Sequence, residues 1–150
     1  MKAVFSIIVC CLLLGFSNQL NAQELSKEIA WAIKYSQTDY LDKWIEDADI
    51  NSCLGVRKSK KYNYLAMSIK LNSMASLKYF VERGADIEGN FAEKSPLMYA
   101  AKYGKPEMLT YLIEQGADPK RTINRKTALY YARKFNKSEI VKRLKSYEPN

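Results

Sequence analysis

Between residues 95 and 118 the chain reads SPLMYAAKYGKPEMLTYLIEQGAD, and its apolar positions fall at helical spacing in two short runs. Leu97, Ala100 and Ala101 make the first stripe, while Met108, Leu109, Leu112 and Ile113 make the second. Ser95 offers a capping hydroxyl, and Pro96 suits the first helical position, where a missing amide proton costs nothing. Gly104 ends the first helix because glycine enters the left-handed region without a side-chain clash, and Pro106 opens a second helix that stops at Gly116. The stretch predicts a helix-turn-helix unit with one apolar side left open. Such a unit needs neighbours.

The rest of the chain supplies them. Leu65, Leu97 and Leu129 recur every 32 residues, each two positions after a capping residue, Asn63, Ser95 and Thr127. The turn recurs as Asn72, Gly104 and Asn136, residue types that tolerate positive φ. The second helix carries Phe80-Val81 and then Leu112-Ile113, whereas in the last unit Leu144 is followed by Lys145. Gly84-Ala85-Asp86 and Gly116-Ala117-Asp118 close the two middle units.

This pattern resembles the ankyrin repeat, whose signature opens on Thr-Pro-Leu-His and ends on a Gly-Ala-Asp-type turn. Ser95-Pro96-Leu97 and Thr127-Ala128-Leu129 match the opening well, and Asn63-Tyr64-Leu65 matches it more loosely. The family histidine is replaced by Ala66, Met98 and Tyr130, so its hydrogen bond must be lost or replaced. The resemblance implies an all-α solenoid of about four repeats with degenerate terminal caps. The units fall at about 25–50, 62–90, 94–122 and 126–147. It also implies a module for binding other proteins.

The first unit is degenerate. Ile29, Ala32 and Ile33 stand for Leu97, Ala100 and Ala101, and Leu41, Trp44 and Ile45 stand for Leu109, Leu112 and Ile113. Its charged residues suit an end unit with one face in water. Ahead of it, Met1-Lys2, an apolar run from Ala3 to Phe16 and Leu20-Asn21-Ala22 have the layout of a secretory signal peptide, residues 1–22, cleaved after Ala22. The run is short for a membrane span. Cys10 and Cys11 would leave with it, so Cys53 would stand alone and no internal disulfide could form. The expected location is the periplasm, with secretion as the alternative.

Charge is unevenly spread. Residues 23–50 carry seven acidic and three basic side chains, whereas residues 120–150 carry ten basic and two acidic. The full chain stands at +8, and loss of Lys2 with the leader would leave +7. Such polarity can steer an acidic partner. The expanded connection from Asn51 to Lys61 adds Arg57, Lys58, Lys60 and Lys61 at an edge of the expected stack.

Tyrosine is frequent, with 11 in the chain. By the ankyrin resemblance, partners contact the first helices and protruding turns, which makes Tyr62, Tyr99, Tyr103, Tyr130 and Tyr131 candidate contacts. Large rigid rings lose little entropy on binding. Tyr99 and Tyr131, equivalent in the repeat, are the leading pair. Arg57, Lys58, Lys61, Arg121, Arg125, Lys126 and Lys134 are the candidate basic contacts.

Histidine is absent, which removes the usual neutral-pH base, the usual zinc ligand and every Ser-His or Cys-His nucleophile arrangement. Asp49, Asp86 and Asp118 recur at unit ends, where a turn role accounts for them. No catalytic residue, cofactor or metal site is therefore expected. The sequence points to an exported, monomeric binding module for another protein with an acidic surface. It would act as an immunity protein or inhibitor of a toxin or effector, with a periplasmic scaffold, a stress-protection factor or a binder of anionic lipid as alternatives. Export disfavours nucleic acid.

Overall fold

The computed structural model describes residues 20–45, 50–51, 54–55 and 61–147, with side chains described for 27–42, 50–51 and 62–147. Most of the expected leader lies outside these residues, as do Ala48-Asp49, Cys53, Arg57, Lys58 and Lys60. The side chains of Trp44, Ile45 and Lys61 lie outside them too.

Eight helices among the described residues form four successive hairpins: α1 (Leu20–Lys34) with α2 (Thr38–Ile45), α3 (Tyr64–Leu71) with α4 (Met74–Glu82), α5 (Pro96–Tyr103) with α6 (Pro106–Glu114), and α7 (Ala128–Lys134) with α8 (Ser138–Lys145). The first helices stack in order, α1 on α3, α3 on α5 and α5 on α7, and each packs on its own second helix. One detail departs from the all-α expectation. Within the expanded connection, β1 (Leu54–Gly55) pairs antiparallel with β2 (Lys61–Tyr62).

The expected caps form. Side chains of Asn63, Ser95 and Thr127 accept the amide protons of Ala66, Met98 and Tyr130, the three residues that replace the missing histidine. At the other end of each first helix, Asn72, Gly104 and Asn136 take φ values of 60°, 65° and 53°. Each turn closes with two backbone bonds; at Gly104 they run from its amide to Ala101 and from Lys105 to Ala100. Ser36 repeats this in the first hairpin at φ 54°, a turn the sequence hides because serine is an ordinary residue type there. Gly84 and Gly116 close α4 and α6 at φ 83° and 101°. The recurring aspartates do serve turns: Asp86 and Asp118 accept the amides of Glu88 and Lys120.

Packing follows the register, with a difference at the end. Leu65 and Leu97 are buried, whereas Leu129 in the equivalent place is only half-buried, because among the described residues no further hairpin covers α7. Phe80, Leu112 and Leu144 are buried along the second helices. Ile29, Ala32, Ile33 and Leu41 are buried in the first hairpin, as expected for a cap that joins the same core, and Trp31 is left exposed at its edge.

Polar ties join neighbouring hairpins. Ser76 Oγ donates to the Ile33 carbonyl at 2.7 Å. Asp42 Oδ1 accepts from both Tyr79 and Arg83 at 2.5 Å. Glu88 accepts the Asp118 amide and pairs with Arg121 at 2.9 Å, while Arg143 reaches back to Thr110 at 2.7 Å.

Two hairpin tips are strained. Phe91 bridges Lys94 and Ile123 bridges Lys126, and the residues between them, Ala92-Glu93 and Asn124-Arg125, all have positive φ. Two-residue tips of this kind need positive φ at both central positions, for which glycine is the usual second residue.

Three outcomes are expected. Leu65→Ala and Leu97→Ala each cost about 2–5 kcal/mol in denaturant unfolding, and Leu129→Ala costs clearly less, because it gives up less buried surface. Arg125→Gly stabilises the chain by about 1 kcal/mol, since it relieves a left-handed side chain beside Asn124.

The third concerns pH. Burial and the Asp42 hydrogen bond push the Tyr79 phenol up to about 12. The Tyr79 hydrogen bond, helped by Arg83 and opposed by burial, holds Asp42 below the usual carboxylate value. The folded chain thus keeps the Tyr79 proton longer than the unfolded chain, whose tyrosines titrate near ~10. Its contribution is complete below that pH and is lost as pH rises toward about 12. At the acid end the Asp42 contribution is lost as pH falls through its lowered value. Ultraviolet titration with pH-dependent unfolding checks this, and Tyr79→Phe should lessen the alkaline loss.

Candidate functional site

Four lysines occupy one repeat position. Lys70, Lys102 and Lys134 are 32 residues apart, and Lys34 takes the same place in the first hairpin, just before its turn at Ser36. Each lies in the last turn of its first helix. A cation there complements the carbonyl end of the helix, which accounts for one basic residue per helix. It does not account for what lies beneath them.

Each of these ammonium groups sits over an aromatic ring. Lys34 lies 5.1 Å from the Tyr35 ring centre and Lys70 4.4 Å from that of Tyr62. Lys102 lies 5.2 Å from Tyr103 and 5.4 Å from Phe135, and Lys134 lies 5.9 Å from Tyr130. An exposed cation–π contact is worth about 0.5–1 kcal/mol. Cations on neighbouring packed helices, roughly 10 Å apart, repel by about 0.4 kcal/mol in water before salt screening. The rings therefore offset the repulsion. Lysines are held in a row on the first-helix face at little cost.

At the middle of the row Tyr99 stacks on Tyr103 with centres 6.2 Å apart, and Tyr62 leans on Tyr99 at 5.8 Å. The Tyr62 and Tyr103 hydroxyls are 3.4 Å apart. Burial opposes ionisation of Tyr62, but its hydrogen bond with Tyr103 and the field of Lys70 hold the phenol below its usual value. Burial and the same hydrogen bond push Tyr103 up. Lys94, at the base of a hairpin tip, lies 5.8 Å from Tyr99 and 5.3 Å from Tyr131. Burial, then repulsion from Lys102, holds Lys94 below the usual lysine value.

Several expectations from the sequence need correction here. Tyr62, Tyr99 and Tyr131 are 6%, 3% and 5% exposed, so they form the floor of the face and are not rings displayed on it. Tyr99 is drawn in because its hydroxyl donates to the Phe91 carbonyl at 3.1 Å. At Gly89 a Cβ would meet the Phe91 ring at 2.2 Å, so a larger residue there would have to push that ring aside. Tyr103 is half-buried, and of the five tyrosines only Tyr130 is exposed. Arg121 is not an open cation, since Glu88 neutralises it. Arg125 is exposed at its tip, Lys126 is half-buried beside it, and Lys134 is exposed on the row. Arg57 and Lys58 lie outside the described residues, and only the backbone of Lys61 is described, in β2.

Lys34, Lys70, Lys102 and Lys94 escaped the sequence reading, as did exposed Tyr35 and Phe135. The signal was present in the 32-residue recurrence of lysine, which the leucine and turn recurrences overshadowed.

Among the described residues no cluster of acidic, cysteine or histidine side chains could hold a metal, and no helix is long and apolar enough to cross a membrane. The recess of about 560 Å³ on the last described hairpin, beside Ala132, Asn136 and Val141, is open to solvent.

No curated protein matches the chain significantly. The family model for ankyrin repeats (3 copies) matches residues 29–123 and, in an overlapping match, 97–150. The four stacked hairpins, their recurring caps and turns, and this match together place the chain in the ankyrin-repeat family, a family of protein-binding modules.

Proposed function

We propose that this module binds an acidic region of another protein across its first-helix face and acts by stoichiometric occupation. The observation that carries this reading is the lysine row, in which each cation is fixed over a ring. Aromatic surface beside the row gives contact area that a charge alone would lack: Tyr35 is 52% exposed, Tyr130 40% and Phe135 39%. The leader-like run from Ala3 to Phe16 supports action outside the cytosol, in the periplasm or after secretion. In that setting a stoichiometric binder serves as an inhibitor or immunity protein against a toxin.

The test is the double variant Lys70→Glu with Lys102→Glu. Partner capture should fall at least about tenfold, because attraction becomes repulsion at the centre of the row, and wild-type capture should weaken with salt. Unchanged capture by a folded variant, checked by circular dichroism, would remove this face from the interaction. Binding to anionic vesicles in place of protein, read by flotation, would also overturn the reading.

A further inference from the structure

One contact recurs between neighbouring units. The residue just before each cap, Tyr62, Lys94 and then Lys126, stands at one repeat position, 32 residues apart. Tyr62 leans on Tyr99 of the next unit with ring centres 5.8 Å apart, and Lys94 lies 5.3 Å from the ring centre of Tyr131 in the unit after it. Tyr99 and Tyr131 also share a position, and the register that sets Ile29 against Leu97 puts Trp31 there in the first hairpin. Each end of the stack therefore holds half of this contact. Among the described residues Lys126 has no ring of a following unit to cover, and Trp31, 53% exposed, has no preceding tip against it.

A second contact divides in the same way. Across the first junction Ser76 Oγ donates to the Ile33 carbonyl. Ile33, Ile69 and Ala101 are equivalent and fully buried, whereas Arg133, at that position on α7, is exposed. The counterpart of Ser76 in the first hairpin is Tyr40, which meets Trp31 edge-on at 6.5 Å and donates its hydroxyl to Glu28 at 2.9 Å. A junction between the last hairpin of one molecule and the first of another, made in the register of the internal junctions, thus brings Arg133 to Tyr40 and the carboxylate it holds. Leu129 and Val141 would be covered there as Leu97 and Leu109 are covered inside the stack.

Charge selects the same pairing. The ten basic and two acidic residues of 120–150 face the seven acidic and three basic residues of 23–50, so unlike ends attract and a symmetric pairing of like ends is opposed. The net charge of +8 acts mainly over distances beyond about 8 Å, where physiological salt screens it. An unrelated acidic partner would satisfy the cations of the last hairpin but would leave Trp31 uncovered at the other end.

We infer that the two ends of the stack are complementary and that the occupant of each is a second copy of this chain. The last hairpin of one molecule receives the first hairpin of the next, with Lys126 over the Trp31 ring and Arg133 beside Glu28. Tryptophan is the strongest ring for such a cation and a frequent anchor of interfaces. The contact joins two different surfaces, so each addition leaves a free end and copies add into an open chain. The expected monomer is then the dilute form.

Sedimentation velocity with the full chain in physiological salt tests this over about 1–300 μM, the range proper to a modest interface. Mass should rise with concentration and pass beyond that of a pair. Trp31→Ala at one end and Lys126→Glu at the other should each weaken association about tenfold, through loss of the ring anchor or of the cation over it. An equimolar mixture of these two variants should form pairs and stop there, because only one intact end remains on each. Glu28→Arg or Arg133→Glu should likewise weaken growth, and the two combined in one chain should restore it, since the charges are then exchanged across the junction. Circular dichroism checks that each variant is folded.

A chain that stays monomeric throughout the range would overturn the inference. One that stops at pairs would overturn it too, because a closed symmetric contact behaves in that way. Growth that survives in both Trp31→Ala and Lys126→Glu would place the contact elsewhere on the molecule, the leader-like run included. Should Trp31→Ala unfold, the charge exchange decides: no recovery in the combined variant would overturn the proposed register.

Discussion

Everything in this chain depends on one constraint: a hairpin of two short helices cannot bury its own apolar side. Helices of 7 to 9 residues, as in the last three hairpins, are too short to persist alone in water, so their stability has to come from packing. Leu65 and Leu97 reach full burial because α3 and α5 each have a first helix on both sides. Whereas Ile29 at one end of the stack is covered by α3, Leu129 at the other has, among the described residues, no following first helix to cover it. The same residue in the same register is then half-buried, which shows that position in the stack, and not residue type alone, sets burial.

Stacking in register has a second effect. Whatever stands at a repeat position on the outside is copied along the first-helix face. Lysine at the last turn of each first helix is favoured locally by the carbonyl dipoles, and the stack turns four local preferences into one charged row. The aromatic rings between them make the row tolerable and give it an apolar floor. Polar ties such as Asp42 with Tyr79 and Arg83, or Glu88 with Arg121, then hold adjacent hairpins in register. Each ion pair among those ties takes one cation and one carboxylate out of play, so the net charge of +8 stands while the cations left open are the ones that no neighbouring hairpin meets.

The tips show the opposite economy. Ala92-Glu93 and Asn124-Arg125 hold left-handed conformations with a single turn-favouring residue among them. A strained tip persists only where its surroundings fix it, and here the bridges Phe91 to Lys94 and Ile123 to Lys126 do so. The first tip also supplies the carbonyl that captures Tyr99, so the strain is coupled to the floor of the binding face.

What the sequence determined by itself is what repeats locally. The caps at Asn63, Ser95 and Thr127, the left-handed turns at Asn72, Gly104 and Asn136, and the apolar stripes between them are each fixed by neighbours within a few residues, and 32-residue recurrence then implies stacked hairpins. Only the tertiary structure decided which outward positions stay outward. Tyr99 and Tyr131 read as contact residues, yet lie buried: the tip just before α5 takes the Tyr99 hydroxyl, and Lys94 of the same tip reaches across to Tyr131 in the next unit. Arg121 reads as a free cation, yet meets Glu88 from the preceding unit. Exposure and charge pairing are properties of surfaces brought together from different units. Backbone propensity, acting over one turn, carries no information about them.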